Sequence, residues 1–266
     1  MGNLVFFGDS FVSIHKGGSH VWPYLLADNL KIPRSEILNY GLPGTSLEWS
    51  IFQFIKYINS KNYSESDIIV FQTTSTGRPP IMPECDPSYA GSFGRYLAGD
   101  TISSEASRYY KRYESFYHTW LDMQNHDSKY KDRWLLYFTL KQIPNFTVLI
   151  SAFSTLFIGD DNNNPLIGNT NNFIKIDADL ISICTKEVMG NKGYPEFTKY
   201  FKGETRSCHL SNSNNVILAE QLSKCISEKS ASHFNPSKYL TDIFDLDPKY
   251  EDIFLKEFSP TVYKKK

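Results

Sequence analysis

The sequence predicts an α/β protein: a doubly wound three-layer α/β/α sandwich with helices on both faces of a mostly parallel five-stranded sheet. Short apolar segments recur along the chain, and segments with the apolar spacing of amphipathic helices lie between several of them. The first apolar segment runs directly into Gly8-Asp9-Ser10, as a central parallel strand does at its carboxyl end. The chain has 266 residues, of which 41% are hydrophobic, which is enough for one sizeable core.

Five segments have the length and composition of buried strands, because each is a short apolar run bounded by turn-forming or polar residues. They are Leu4–Phe7, Ile37–Tyr40, Asp67–Gln72, Phe146–Ser151 and Phe173–Ile176.

Three further segments have helical periodicity. The first is His20–Leu30, and the second is Ser46–Ile58 with Thr45 or Ser46 as its N-cap. The third is Ser213–Ile226, and the spacing of its apolar residues predicts that one side of this helix faces the protein interior. Its predicted inner residues are Val216, Ile217, Ala219, Leu222 and Ile226.

Two parts of the chain depart from this alternation. The α/β domain is predicted over 1–228, with a helical insertion at about 77–144, and 229–266 form a C-terminal extension. Aromatic residues of the insertion have the spacing of a helical face. They are Tyr109, Tyr113, Phe116, Tyr117 and Trp120, followed by Tyr130, Trp134 and Phe138. They either pack the insertion onto the sheet as a helical hairpin or form an aromatic wall that stacks a sugar or acyl group.

The composition excludes some classes of function. The formal net charge is −1, which argues against nucleic acid as a partner. The chain has no run of about 18 apolar residues, so we expect no membrane span. The first residues lack the features of an export signal, which predicts a cytoplasmic protein. A component of a virus particle would also lack such a signal, so that location stays open, and the oligomeric state is unknown.

The cysteines and histidines do not have the spacing of a metal site. Cys85, Cys184, Cys208 and Cys225 form no CxxC pair, and we expect free buried thiols. We expect neither a metal nor an organic cofactor.

Three short segments could together carry out nucleophilic catalysis. Ser10 follows a strand at the sheet edge where doubly wound folds bind ligands, and its amide can help to hold an oxyanion. A glycine-rich turn, Gly41 to Gly44, follows the second strand. His209 lies just before the last predicted helix, from where it could reach the Ser10 hydroxyl.

In these segments the sequence resembles the GDSL/SGNH hydrolase family. The matching blocks are Gly8-Asp9-Ser10, Asn39-Tyr40-Gly41-Leu42-Pro43-Gly44 and His209-Leu210-Ser211. The resemblance implies a flavodoxin-like sheet, Ser10 as nucleophile, His209 as general base, and the Ser10 and Gly44 amides as oxyanion donors.

The chain departs from the family pattern at two places. The family's third block supplies an Asn to the oxyanion, whereas here the third strand continues into Thr73-Thr74-Ser75, so a hydroxyl of Ser75 or Thr74 is the candidate donor. The family's Asp three residues before the histidine is Arg206 here. Glu204, five residues before His209, is the candidate acid, and the alternative is a Ser–His dyad oriented by a backbone carbonyl.

These features predict a serine esterase that cleaves a small or carbohydrate-linked acyl ester, such as an O-acetyl group. Arg78 and Asp9 are candidate substrate-binding residues, although an ion pair of Arg78, for instance with Asp86, is the alternative. The competing hypothesis is a binding or structural protein that has lost efficient catalysis. A viral origin is one form of this hypothesis. A nucleotide-binding protein is a third hypothesis, but the sequence lacks a glycine-rich phosphate loop.

Overall fold

A single five-stranded parallel sheet organises the protein. The computed structural model describes residues 2–14, 21–74, 78–82, 85–123, 135–151, 170–176, 201–202, 210–239 and 245–246. The strands are β1 (Leu4–Phe7), β2 (Ile37–Asn39), β3 (Ile68–Thr73), β4 (Phe146–Ser151) and β5 (Phe173–Ile176). Their order is β2-β1-β3-β4-β5, and every pairing in this sheet is parallel. The predicted α/β sheet is therefore confirmed.

The order of the strands creates a crevice at the carboxyl-terminal ends of the central strands. The chain moves from β1 outwards to β2 and then returns to β3 on the other side of β1. The connections that leave the carboxyl ends of β1 and β3 therefore diverge to opposite sides, and doubly wound sheets bind ligands at such a point. Ser10 follows β1 at this end of the sheet.

The described helices cover the sheet and build the insertion. They are α1 (Trp22–Leu30), α2 (Leu47–Ile58), α3 (Phe93–Leu97), α4 (Ser104–Arg112), α5 (Glu114–Met123), α6 (residues 135–142) and α7 (Asn212–Ser227). Ser46, one of the two predicted N-cap candidates, caps α2 by accepting a hydrogen bond from the Trp49 amide at 3.3 Å. In the described part of the chain, none of these helices has the length and apolar character needed to cross a membrane.

Alternate residues of each strand point to opposite faces of the sheet and enter two separate cores. Leu4 and Phe6 of β1 pack with α1 and α7 on one face, whereas Val5 and Phe7 pack with α2 and α6 on the other. Both faces are thus covered by helices, which confirms the three-layer α/β/α arrangement.

The aromatic residues of the insertion form a third core of their own. Phe93, Tyr110 and Tyr117 are buried there, and the Tyr109 and Tyr117 hydroxyl groups lie 2.5 Å apart. Burial, assisted by the hydrogen bond with Tyr109, raises the pKa of the Tyr117 hydroxyl group. The buried side chains of this core therefore pack mainly against one another.

The predicted continuous aromatic helix is wrong in two respects. The helix ends at Arg112, and α5 begins at Glu114, because Tyr113 between them leaves the helical conformation (φ −112°, ψ 25°). The buried side also differs: Phe116, on the predicted face, is 38% exposed, whereas Tyr110, outside it, is fully buried. Tyr130 and Trp134 lie outside the described residues.

The predicted inner side of the last helix is confirmed at Ala219, Leu222 and Ile226, which are buried in the core with the sheet. It is wrong at Val216, which is 43% exposed, and it omits Leu218 and Cys225, which are fully buried. Residues 230–239, which belong to the predicted extension, pack on α7 through a pair of hydrogen bonds between Gln221 and Asn235. A short antiparallel pair joins β6 (Phe201–Lys202) to β7 (Asp245–Leu246).

Asp67, the residue directly before β3, joins four segments of the chain through its carboxylate and its backbone carbonyl oxygen. Asp67 is 1% exposed, and its Oδ1 accepts from the Asn3 amide at 2.6 Å. Its Oδ2 accepts from the Ser64 amide at 2.9 Å and from the Tyr57 hydroxyl group. The Asn145 side chain donates to the Asp67 carbonyl oxygen at 3.0 Å. Burial and the bond to Asp67 raise the pKa of the Tyr57 hydroxyl group, so Tyr57 remains a donor.

We expect Asp67→Ala to lower the free energy of unfolding by about 2–4 kcal/mol, because it leaves buried donors without an acceptor. Urea unfolding followed by circular dichroism measures the loss. Asp28→Ala is the matched control, since Asp28 pairs with Arg34 at the surface and such pairs contribute little. Equal losses in the two variants would contradict the role given to Asp67.

Candidate active site

Ser10 lies in a tight turn that follows β1. The Asp9 carbonyl oxygen accepts from the amides of Val12 and Ser13 at 3.3 and 3.1 Å, and the Asp9 carboxylate accepts from the Phe11 amide at 3.1 Å. The Asp9 amide in turn donates to the side-chain oxygen of Gln72, at the end of β3. These bonds hold the turn from both sides and leave Ser10 half-buried at its tip.

The glycine turn that follows β2 lies against the Ser10 turn. The Asn39 side chain donates to the Val12 carbonyl oxygen at 2.7 Å and accepts from the Gly41 amide at 2.9 Å. The Leu42 amide donates to the Gly8 carbonyl oxygen at 3.3 Å. The predicted nucleophile turn and the predicted glycine turn are therefore joined directly.

The amides of Ser10 and Gly44 have no acceptor among the residues that the structure describes, and neither has the Ser10 hydroxyl group. Both residues are half-buried. Gly44 has φ +81°, a left-handed conformation that favours glycine. Backbone amides that donate to no acceptor among the described residues are the kind of groups that can hold an oxyanion.

Arg78 connects the same two turns. Its Nη1 lies 2.6 Å from the Asp9 Oδ2 and also donates to the Thr45 carbonyl oxygen at 3.0 Å. The Asp9 carboxylate is fully buried, and the Arg78 side chain is 18% exposed. Because a buried carboxylate requires a counter-ion, this one guanidinium group holds the Ser10 turn, the glycine turn and the start of the insertion together.

A short 3₁₀ turn of the insertion, Pro87–Ser92, packs onto the glycine turn. A Cβ atom on Gly91 would lie 2.8 Å from the Gly44 Cα, and one on Gly44 would lie 2.7 Å from the Ser88 carbonyl oxygen. The Asp86 carboxylate caps this turn by accepting from the Ser88 amide at 2.9 Å. The two backbones therefore approach so closely that only glycine fits at either position.

A hydrogen-bonded link joins the Ser10 turn to the start of α7. The Trp22 indole donates to the Phe11 carbonyl oxygen at 2.6 Å, and the Trp22 amide donates to the Asn215 side-chain oxygen at 2.9 Å. The Asn215 side-chain nitrogen donates to the carbonyl oxygens of Leu210 and Ser211 at 3.1 and 3.0 Å. The residues next to Ser10 and next to His209 in the chain are thus tied to one another.

The structure brings together four of the predicted site residues: Ser10, Asp9, Gly44 and Arg78. Thr74, directly after β3, is fully buried. The other three, His209, Glu204 and Ser75, lie outside the described residues, so their roles remain predictions. The substrate-binding roles of Asp9 and Arg78 also remain predictions.

The sequence analysis did not identify the groups that support the site. They are Gln72, whose side-chain oxygen accepts from the Asp9 amide, Thr45, whose carbonyl oxygen accepts from Arg78, and the Trp22–Asn215 pair. The role of Gln72 could have been suspected from the sequence, because an amide side chain inside a buried strand needs a hydrogen-bond partner.

Neither of the described cysteines, Cys85 and Cys225, forms a disulfide bond. Cys225 is fully buried, and burial raises its pKa to about 11, which leaves it unreactive at neutral pH. Cys85 is only half-buried. Cys184 and Cys208 are outside the described residues. Where side chains are described, no three His, Cys, Asp or Glu residues gather in a way that could hold a metal ion.

A scan of the chain against protein-family models and searches of curated proteins and of solved structures gave no match. The choice of a function therefore depends on the chemistry of this chain's own residues.

We expect Arg78→Met to destabilise the protein by about 3–5 kcal/mol, because it leaves the Asp9 carboxylate buried without a counter-ion. Asp9→Asn in the same chain should recover part of the loss, and a double-mutant cycle from urea unfolding measures the coupling. Arg112→Met is the control, since Arg112 is an exposed arginine of the insertion. Additive effects of the two substitutions would show that the ion pair does not hold the turns.

We expect Gly91→Ala to destabilise the protein by about 1–3 kcal/mol, because the added methyl group forces the insertion away from the Gly44 turn. Gly94→Ala is the matched control: a Cβ at Gly94 has open space, and alanine favours the helix. Thermal unfolding measures both. A stable Gly91→Ala variant would mean that the insertion does not depend on this close approach.

Proposed function

We propose that this protein is a serine hydrolase of the SGNH type that cleaves an acyl ester through a covalent intermediate on Ser10. The Ser10 oxygen attacks the acyl carbonyl carbon while His209 accepts the hydroxyl proton, and His209 then returns this proton to the leaving alcohol. Water, deprotonated by His209, hydrolyses the acyl-enzyme and restores Ser10. In this proposal the reaction needs no metal or organic cofactor.

The observation that carries the proposal is the arrangement of the Ser10 and Gly44 turns. Ser10 follows β1 at the carboxyl-terminal end of a doubly wound sheet, where such folds bind ligands, and its hydroxyl group, its amide and the Gly44 amide have no partner in the described part of the protein. A nucleophile beside two backbone donors is what an acyl transfer requires, because the attacked carbonyl oxygen becomes negatively charged. A hydroxyl group of Thr74 or Ser75 is the proposed third donor.

The link to α7 supports His209 as the base. Leu210, which follows His209 in the chain, packs in the same core as Phe11, which follows Ser10. The Trp22–Asn215 link ties the two ends together. Since consecutive Cα atoms are separated by only about 3.8 Å, anchoring both neighbours limits the distance that the Ser10 and His209 side chains must span. Glu204 is the proposed acid that orients the imidazole.

Labelling with a fluorophosphonate probe tests this proposal, because the probe reacts with an activated serine. We expect the wild-type chain to be labelled at Ser10, Ser10→Ala to show only background, and His209→Ala to react at least about a hundredfold more slowly. Ser66→Ala and His233→Ala are matched controls, since Ser66 is exposed and His233 pairs with Glu228 away from the site. Both should label like the wild type.

A folded wild-type chain that is not labelled would contradict the proposal. The second candidate, a binding protein that keeps the fold without efficient catalysis, would then be favoured, because segment 72–74 has Gln-Thr-Thr where the family provides an Asn. Circular dichroism of each variant separates this outcome from unfolding. Slower labelling of Glu204→Gln would support a triad, whereas an unchanged rate would support a dyad.

A further inference from the structure

A cavity of about 400 Å³ lies between α2 and the first part of the insertion. One wall is formed by Glu48, Trp49, Phe52, Gln53 and Lys56 of α2, and the other includes Pro80 and Met82. Its volume falls in the range of small-molecule sites, which combine apolar walls with a few polar groups.

The helix α2 has two distinct faces. Leu47, Ser50, Phe54 and Tyr57 are buried towards the sheet, whereas the residues that line the cavity form a separate stripe along the helix. In that stripe Phe52 is 54% exposed and Trp49 is half-buried. Large aromatic side chains left in contact with solvent beside a cavity indicate a binding surface.

The polar groups of the stripe decide the class of ligand. Glu48 and Gln53 stand beside the aromatic rings, and the Lys56 ammonium lies 5.6 Å from the centre of the Phe52 ring. A sugar ring has apolar C–H faces that pack on aromatic rings and hydroxyl groups at its rim that bond to carboxylate, amide and ammonium groups. An acyl chain has no hydroxyl groups that could bond to polar side chains such as Gln53 and Lys56.

The cavity begins next to the candidate active site. Ser46 lines it, and the preceding residue, Thr45, accepts the hydrogen bond from Arg78. Pro80, on the opposite wall, lies two residues after Arg78. A molecule in this cavity would therefore lie at the start of α2, directly after the Gly44 turn, and hydrogen bonds join that turn to the Ser10 turn.

We propose that this cavity binds the sugar ring of an acylated carbohydrate, with the ring against Trp49 and Phe52. This inference rests on the proposed function, since it assigns the sugar part of the substrate whose acyl group reacts with Ser10. The sugar would lie between α2 and the segment of the insertion that includes Pro80 and Met82.

Binding can be measured without turnover on the Ser10→Ala chain. The probes are the methyl glycosides of glucose, xylose and N-acetylglucosamine at millimolar concentration, observed by saturation-transfer NMR and titrated by calorimetry. We expect at least one glycoside to bind, and Phe52→Ala and Trp49→Ala to weaken it roughly tenfold. Phe52→Tyr should retain binding. Phe116→Ala is the matched control, because Phe116 is an exposed phenylalanine outside the cavity.

Several outcomes would overturn the inference. They are no binding of any glycoside, binding that Phe52→Ala and Trp49→Ala do not weaken, and binding of decanoate in place of the sugars with the same sensitivity. Circular dichroism of each variant shows that the fold is retained. Because Ser10 labelling by the fluorophosphonate probe is measured separately, failure of the sugar site is distinguishable from failure of the proposed hydrolase.

Discussion

The ion pair between Arg78 and Asp9 is the interaction on which the candidate site depends. A fully buried carboxylate is unfavourable unless a cation and hydrogen-bond donors satisfy it, and here both requirements are met by separate segments of the chain. The same guanidinium group reaches the Thr45 carbonyl oxygen. Satisfying one charge therefore forces the Ser10 turn, the glycine turn and the start of the insertion into fixed positions relative to one another.

The sheet provides the rigid support for this arrangement. Side chains of β1 enter different cores on its two faces, so the strand that precedes Ser10 is held from both sides. On one face, Trp22 and Asn215 add directional bonds that tie the Ser10 turn to the start of α7. Such polar links within a tightly packed core allow little movement, and a site that must position reacting atoms benefits from that rigidity.

The insertion contributes to the site through its first part, its helices α3 to α5 pack on one another, and its helix α6 packs on the sheet. Its aromatic residues form a separate core around Phe93 and Tyr110, and its short turn at Pro87–Ser92 lies directly on Gly44. The cavity beside α2 results from this arrangement, because the loop after Arg78 passes along a face of α2 that the sheet does not use. The same segment that positions the proposed catalytic turns thereby forms the proposed sugar site.

The sequence by itself determined the five strands, α2 with a cap at Thr45 or Ser46, and the place of Ser10 directly after the first strand. These features follow from short apolar runs, helical spacing and local capping, all of which act between residues close in the chain. Only the tertiary structure decided the partner of Arg78, the helix break at Tyr113 and the exposure of Val216. Each of these depends on what packs against the residue from a distant part of the chain, and periodicity carries no information about that.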